Sequence, residues 1–208
     1  MKKRMVFLLL GILMISIIPI NSANATSVKV YTDKPTYSYG EFLTFTIEVS
    51  EVTGDSAIMH IRDENGVSSS AIPIEIKKLN TTIPSKIPFD SEIYKVGKYF
   101  IDVEYSDDKS STEFNLVESE GIVIPYTQKL ITTHWLLDEI SDEQFLQSVK
   151  SLVEKKVIII DNDISTSKNP SLPTWVKTIS QWMLEGKISD NDYGVAIQYL
   201  IKTGIIVI

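Results

Sequence analysis

The feature that most constrains this chain is an internal repeat, because residues 125–160 recur without a gap, 48 positions later, as residues 173–208. The positions that recur are Pro125, Lys129, Ile131, Leu136, Ile140, Ser141, Asp142, Leu152, Ile158 and Ile160, matched by Pro173, Lys177, Ile179, Leu184, Ile188, Ser189, Asp190, Leu200, Ile206 and Ile208. Most of them are apolar residues or types that form turns and helix caps. This composition is typical of a duplicated packing unit and not of a duplicated active site.

Each copy has the apolar spacing of two amphipathic helices. Side chains follow the i, i+4, i+7, i+8 pattern of one buried helix face in each half of a copy. In the second copy these are Trp175, Ile179, Trp182 and Met183, then Tyr193, Ile197, Leu200 and Ile201; in the first they are Thr127, Ile131, His134 and Trp135, then Phe145, Val149, Leu152 and Val153. The spacing predicts four helices of about 12 to 14 residues, paired as two tandem helical hairpins over residues 123–160 and 173–208.

Cap residues predict where the second helix of each copy begins. Ser141 and Ser189 are suitable N-caps, and Asp142 and Asp190 follow them at the positive end of the helix dipole. Gln144 can close a capping box in the first copy. The recurring Ile-Ser-Asp is therefore explained by local helix initiation.

The end of each copy is also recognisable. Gly204 suits the left-handed position after a helix, whereas the first copy has Lys156 there, less suited by roughly 1 kcal/mol. Residues 157–160 and 205–208 then form short β-branched runs, which predict short terminal strands. Residues 161–172 between the copies are polar and contain Asn-Pro, so we predict a linker loop.

Residues 26–118 have a different period, because apolar and polar side chains alternate. The alternation is clear in the segments 43–49 and 99–105. Turn signals such as Asn65-Gly66 separate about seven short strands. This pattern predicts an antiparallel immunoglobulin-like β-sandwich. The whole chain is thus predicted to be multidomain, all-β followed by α.

The start of this domain also carries a resemblance. The stretch Tyr31-Thr-Asp-Lys-Pro-Thr-Tyr-Ser-Tyr-Gly-Glu41 resembles the opening of macroglobulin-type and related bacterial and archaeal immunoglobulin-like domains. In that family the pattern marks the crossing from the first strand to the second, and Pro35 and Gly40 suit such a crossing. The resemblance implies a spacer or contact domain. The macroglobulin thioester needs a cysteine, which this chain lacks.

The second copy carries another resemblance. Its pattern Pro-x-Trp, then Trp-x-x-x-Gly-x-Ile-Ser-Asp, then Leu-Ile-x-x-Gly-Ile-Ile over residues 173–206 looks like a C-terminal repeat of secreted archaeal cell-surface proteins. The first copy matches this pattern less well. The resemblance implies a cell-surface location and no assigned activity.

The N-terminus predicts export. Residues 1–25 combine three basic residues, the apolar run 5–20 and the small-residue motif Ala23-Asn-Ala25, which together predict a cleaved signal peptide, with an uncleaved anchor as the alternative. No later apolar stretch reaches the roughly 20 residues that span a bilayer. We therefore expect a secreted, extracellular or cell-surface protein without an integral membrane span after cleavage.

The charge of the chain excludes one class of partner. Cleavage would remove three of the 20 basic residues and none of the 27 acidic ones, so the net charge would change from −7 to −10. A polyphosphate would be repelled by this charge, and we expect no nucleic-acid partner. The partner that we expect is therefore a protein or a cell-envelope component.

Few residues suggest chemistry. The two histidines, His60 and His134, fall on a predicted strand and a packed helix face, where structural roles are usual. There is no nucleophile elbow, HExxH motif or phosphate-binding glycine loop. The sequence therefore predicts no catalytic residues and no cofactor.

Two acidic loops and one sequon are weak candidates for sites. Asp161 and Asp163 in the linker, and Asp107 and Asp108 in a turn, could offer oxygen ligands to calcium, although neither loop has the EF-hand pattern. The alternative is that these carboxylates are solvated and bind no ion. Asn80 begins an Asn-Thr-Thr glycosylation sequon in a predicted loop.

The three tryptophans have two interpretations. Trp135, Trp175 and Trp182 lie at helical spacing, which favours a role in the core. In the second interpretation the three side chains are exposed and form a contact surface or a platform on which sugars stack.

The function that we expect is that of a secreted, non-enzymatic cell-surface or envelope protein acting as a binding or structural module. One alternative is an extracellular hydrolase, or an accessory subunit of one, that uses carboxylates brought together by the fold. A further alternative is calcium-dependent surface assembly.

Overall fold

The computed structural model describes residues 26–160 and 172–208, with the strands in the N-terminal part and the helices in the C-terminal part. The fold is therefore β plus α. The predicted signal peptide lies outside the described residues. So do Asp161 and Asp163, with all of the predicted linker except Leu172.

The N-terminal part contains eight strands in two sheets. The strands are β1 Val28–Thr32, β2 Thr36–Ser38, β3 Thr44–Val49, β4 Ser56–Asp63, β5 Ile72–Glu75, β6 Asn80–Pro84, β7 Gly97–Tyr105 and β8 Asp108–Val117. One sheet has the order β1-β3-β6 and the other the order β2-β8-β7-β4-β5. The alternation seen in the sequence becomes alternating burial, as in β3, where Phe45, Ile47 and Val49 are buried.

The five-stranded sheet is mixed, so the prediction of a wholly antiparallel architecture was wrong. Strand β2 runs parallel to β8, with Tyr37 opposite Leu116. Residues 33–35 lie between β1 and β2, and Pro35 cannot donate a ladder hydrogen bond. The chain therefore pairs antiparallel with β3 in one sheet and then crosses to the other, which curls into half a barrel.

Residues from both sheets form one apolar core with an aromatic centre. The ring of Tyr37 lies 5.4 Å from the rings of both Phe89 and Phe114. Its hydroxyl donates to the Asp33 carboxylate and to the Thr44 carbonyl at 3.1 Å. Burial, and then the Asp33 carboxylate, raise the pKa of Tyr37 well above its usual range. This hydroxyl thus completes the packing, because its hydrogen-bonding capacity is satisfied inside the domain.

The C-terminal part contains four helices, and their bounds follow the 48-residue spacing of the sequence. They are α1 Tyr126–Leu136, α2 Asp142–Glu154, α3 Thr174–Leu184 and α4 Asp190–Lys202, so the second pair has the bounds of the first shifted by 48 residues. Ser141 accepts from the Gln144 N–H and Ser189 from the Asp192 N–H, and both capping boxes are complete. None of the helices in the described ranges is long and apolar enough to cross a membrane.

Helices α2 and α4 end in the same turn, although only the second copy has a glycine there. The Val157 N–H donates to the Leu152 carbonyl, and the Ile205 N–H donates to the Leu200 carbonyl, both at 2.9 Å. Lys156 adopts a φ of 60° where Gly204 has 70°. The first copy therefore forms this Schellman turn with a side chain that disfavours it.

The predicted terminal strands are absent. Residues 157–160 and 205–208 contain no strand, and instead one side chain from each run, Ile158 or Ile206, is buried in the helical core. The Schellman turn explains the difference, because it turns each run back over the helix that it follows. The β-branched composition reflects burial here and not strand pairing.

The two copies share one apolar core, and polar contacts and close packing also join them. The Lys129 ammonium of α1 lies 2.8 Å from the Asp190 carboxylate of α4, which also accepts from the Ile124 N–H at 3.0 Å. Gly194 of α4 lies under Ile122, and a Cβ there would be 2.6 Å from that side chain. Neither copy therefore buries its apolar face alone.

Two carboxylates of the β domain fix the start of the helical part. Asp90, which is buried, accepts from the Tyr126 N–H at 2.7 Å. Glu92 accepts from the Thr127 hydroxyl at 2.7 Å and pairs with the Lys155 ammonium. Lys155, followed by Thr127, holds the pKa of Glu92 below its usual range. The N-terminus of α1 and the C-terminus of α2 are thus docked on the β domain.

Candidate functional site

Helix α3 separates its side chains into a buried and an exposed set. Val176, Ser180 and Met183 face the core, whereas Trp175 is 47% exposed and Trp182 is 43% exposed. The core interpretation was therefore wrong for these two tryptophans. The i, i+7 spacing places them on one side of the helix, and this side lies at the edge of the buried arc.

Trp135 has a different environment, and for this residue the core interpretation was correct. Its side chain is 1% exposed, stacks on Phe145 with ring centroids 3.9 Å apart, and donates from Nε1 to Asp142 at 2.8 Å. The Lys177 ammonium lies 5.2 Å from its ring centroid and also pairs with Asp138. Trp135 therefore joins the two copies and has no face available to a ligand.

The first copy shows what the fold requires at the positions of the exposed tryptophans. Thr127 stands at the position of Trp175 and bonds to Glu92, while His134 stands at the position of Trp182 and pairs with Glu139 at 2.5 Å. The same helix therefore forms with small or polar side chains at both positions.

Polar groups near the C-terminal end of α3 are paired with one another. The Gln181 amide donates to Glu185 at 2.6 Å, and the Lys187 ammonium lies 2.5 Å from the same carboxylate. Lys187, then Gln181, hold the pKa of Glu185 below its usual range. Between the two tryptophans, the exposed residue Thr178 offers a hydroxyl. The two exposed indoles are therefore bordered by neutral or internally paired groups.

The calcium candidates in the described part of the chain have structural contacts. Asp108 accepts from the Val28 N–H at 2.9 Å, and this contact, with a second from the Lys109 N–H, holds the pKa of Asp108 below its usual range. Asp107 is exposed beside it. Within residues 26–160 and 172–208, no group of three or more His, Asp or Glu residues could hold a metal ion. Asp108 therefore accepts the backbone hydrogen bond of Val28 at the start of edge strand β1.

Asn80 is exposed, but it begins strand β6 and does not lie in the predicted loop. It is paired with Glu48 of β3. Because β6 is an edge strand, the Asn80 side chain is still accessible. The sequon stays a prediction.

The outer face of the five-stranded sheet carries a cavity of about 450 Å³ that includes His60. The register places His60, Asp102 and Ser111 in one row across β4, β7 and β8. The Ser111 hydroxyl donates to Asp102 at 2.6 Å, and His60 Nδ1 lies 3.0 Å from the Ser69 carbonyl. Arg62, 2.8 Å away, holds the pKa of Asp102 below its usual range. The row therefore lacks the His–Ser contact that activates a nucleophile.

Comparisons with known proteins give little beyond this geometry. No protein-family model matches the chain, and no curated protein matches it. The chain is similar to the PKD domain of an M14-like peptidase from Thermoplasmatales archaeon SCGC AB-540-F20, at 13% identity and a TM-score of 0.29, over 44% of this chain and 94% of that one. It is also similar to the sulfur carrier protein SoxY from Chlorobium limicola f thiosulfatophilum, at 8% identity and a TM-score of 0.26, over 44% of this chain and 78% of that one. Likenesses at these scores carry no inference about function.

Proposed function

We propose that this chain is a secreted, non-enzymatic cell-surface or envelope protein that binds a protein or envelope component through Trp175 and Trp182. The observation that carries the proposal is the exposure of both side chains, 47% and 43%, on one side of α3. Tryptophan is enriched at binding surfaces because it offers a large, rigid contact area and an N–H donor. Two of them on one helix face form a ready contact surface.

The matched positions of the first copy support a role outside folding. Thr127 and His134 stand there in a helix of the same length. Since the fold forms without tryptophan at these positions, stability alone does not account for Trp175 and Trp182. A half-exposed tryptophan also leaves apolar surface in contact with water, which binding would bury.

The rest of the chain is assigned to presenting this surface. Residues 26–118 act as an immunoglobulin-like spacer, supported by two sheets around one core. Residues 123–160 and 173–208 act as tandem helical hairpins, supported by helix bounds that repeat at 48 residues. The signal-like residues 1–25 support export, and the net charge argues against nucleic acid.

Binding of purified residues 26–208 to isolated envelopes of the organism that encodes the chain tests the proposal. We expect the double variant Trp175→Ala/Trp182→Ala to weaken binding tenfold or more, which corresponds to about 1.4 kcal/mol. The matched control is Leu130→Ala/Leu137→Ala, because these leucines have the same spacing, one in α1 and one at its C-cap, and are 44% and 63% exposed. No binding by the parent chain, or equal losses in both variants, would contradict the proposal.

A further inference from the structure

The two exposed indoles form an extended and narrow surface. Seven residues separate Trp175 from Trp182, so they lie two helical turns, or about 10 Å, apart along α3. Thr178 lies between them and is exposed. A ligand that contacts both indoles must therefore extend about 10 Å along the helix.

The β domain of a second copy of this chain does not fit this surface. In the first copy, the equivalent end of the helical pair holds Glu92 with the Thr127 hydroxyl and the Lys155 ammonium. In the second copy these two positions are Trp175 and Thr203, so neither the short hydroxyl nor the cation is present. A carboxylate docked there would lose its partners.

The two exposed tryptophans alone supply too little area for a stable symmetric pairing of two α3 helices. At 47% and 43% exposure, the two tryptophans offer roughly 200 Å² together, from a typical aromatic area of about 150 to 250 Å² each. A stable protein pair buries about 800 Å² on each side. The area suits a short, flat ligand and not a second copy.

Charge disfavours anionic ligands and anionic membranes. The chain has a net charge of −7, and the single basic residue of α3, Lys177, already pairs with Asp138. A helix that binds a lipid surface carries several free Lys or Arg residues beside its apolar face. The charge therefore argues against an anionic ligand and is compatible with a neutral one.

We infer that the Trp175–Trp182 face binds a neutral saccharide chain of the cell envelope. Sugar rings present apolar C–H faces that stack on indoles, while their hydroxyls hydrogen-bond to groups such as the Thr178 hydroxyl between the two platforms. A linear saccharide supplies successive flat faces along its length, which matches two platforms on one straight helix. This inference rests on the proposed function and names the ligand class of the same surface.

A glycan probe tests the inference separately from the proposed function. Envelopes are digested exhaustively with protease, and the soluble neutral glycan fraction is titrated into residues 26–208 in an isothermal titration calorimeter, a readout that does not depend on the two tryptophans. We expect saturable binding that is lost when the same fraction has been oxidised with periodate, which opens the vicinal diols of sugars. If intact envelopes bind and the glycan fraction does not, the saccharide inference is wrong and the proposed function stands. If intact envelopes do not bind either, both are wrong.

Variants separate stacking from simple apolar contact. Trp175→Leu/Trp182→Leu keeps apolar bulk but removes the flat ring, and we expect it to weaken glycan binding tenfold or more. Trp175→Phe/Trp182→Phe keeps a ring, and we expect a loss of less than tenfold. The control Leu130→Ala/Leu137→Ala should bind as the parent does. Equal affinity of the leucine and phenylalanine variants would overturn the stacking inference.

Discussion

The two copies have the same helix bounds but fill their cores differently. In the first copy Trp135 stacks on Phe145. In the second, the matched residues are Met183 and Tyr193, and the Tyr193 hydroxyl lies 3.1 Å from that of Ser180. Burial raises the pKa of Tyr193 to about 12. A smaller side chain at one position is therefore accompanied by a new polar contact at the neighbouring one.

A second pair of positions shows the same compensation. Gln128 donates to the Ser148 hydroxyl at 2.9 Å in the first copy, and the matched residues in the second are Val176 and Ala196. A polar pair is thus replaced by an apolar pair, so no buried amide loses its partner. Buried positions have changed together.

The exposed positions do not follow this rule. Thr127 and His134 are matched by Trp175 and Trp182, which remain 47% and 43% exposed. Matched core positions of the two copies therefore stay complementary to each other, whereas the matched surface positions of α3 are free of this constraint, as the proposed contact surface requires.

The largest effect should come from the buried tryptophan. Trp135→Ala removes the stacked ring and leaves a cavity, so we expect a loss of about 3 to 5 kcal/mol in the free energy of unfolding. The control Trp182→Ala removes a ring that is 43% exposed and should cost about 1 to 1.5 kcal/mol, roughly half of what a fully buried side chain contributes. Urea unfolding of both variants measures the difference. Similar losses would mean that Trp182 also serves the core, and the comparison would fail.

The compensated pair predicts an intermediate effect. Val176→Gln places an amide beside Ala196, which cannot bond to it, and we expect a loss of about 1 to 3 kcal/mol. Adding Ala196→Ser restores the partner seen in the first copy and should recover a large part of that loss. A double-mutant cycle measures the coupling. Additive effects would show that the two positions changed independently.

Local structure could be predicted from the sequence better than long-range contacts. The caps at Ser141 and Ser189 depend on neighbouring residues, so their pattern is visible in the chain. The docking carboxylates Asp90 and Glu92 act on residues about 35 to 60 positions away, and nothing in their local sequence distinguishes them from solvated loop residues.

The exposed tryptophans show a second limit of sequence reasoning. A helical stripe that includes Trp175 and Trp182 describes a wide arc, and only the packed neighbours decide which edge of the arc is buried. The missing terminal strands have a similar cause. A short β-branched run fits both a strand and a segment folded over a helix, and the preceding turn decides between them.

The helix-ending turns predict a gain of stability in the first copy. Lys156→Gly relieves the positive φ of 60°, and we expect the free energy of unfolding to rise by about 1 kcal/mol. The converse change, Gly204→Ala at a φ of 70°, should lower it by a similar amount. Thermal and urea unfolding measure both. If Lys156→Gly gave no gain, the left-handed lysine would carry no strain.

The docking of the first copy should depend on pH. Because Lys155 and Thr127 hold the pKa of Glu92 below its usual range, the ion pair stabilises the protein above the unfolded pKa of about 4.3 and is lost as the pH falls through the lower folded pKa. We expect Glu92→Gln to cost about 0.2 to 1 kcal/mol at neutral pH. Urea unfolding of both proteins at neutral and at acidic pH measures the effect, and the stability lost in Glu92→Gln should be smaller at acidic pH. The second copy has Thr203 in place of Lys155, so Thr203→Lys should not produce the same pH dependence.

The smallest expected difference lies in the two capping boxes. The Ser189 side chain, followed by its N–H, holds the pKa of Asp192 below its usual range, so this box is complete above the unfolded pKa of about 3.9 and opens as the pH falls through the folded value. The matched Gln144 does not titrate. The amide NMR shift of the Ser189 N–H, which donates to Asp192, should therefore move more in acid than that of the Ser141 N–H, which donates to Gln144. Asp192→Asn should remove this difference between the two cap residues, and an equal response of both in the parent chain would mean that the third helical residue does not close the cap.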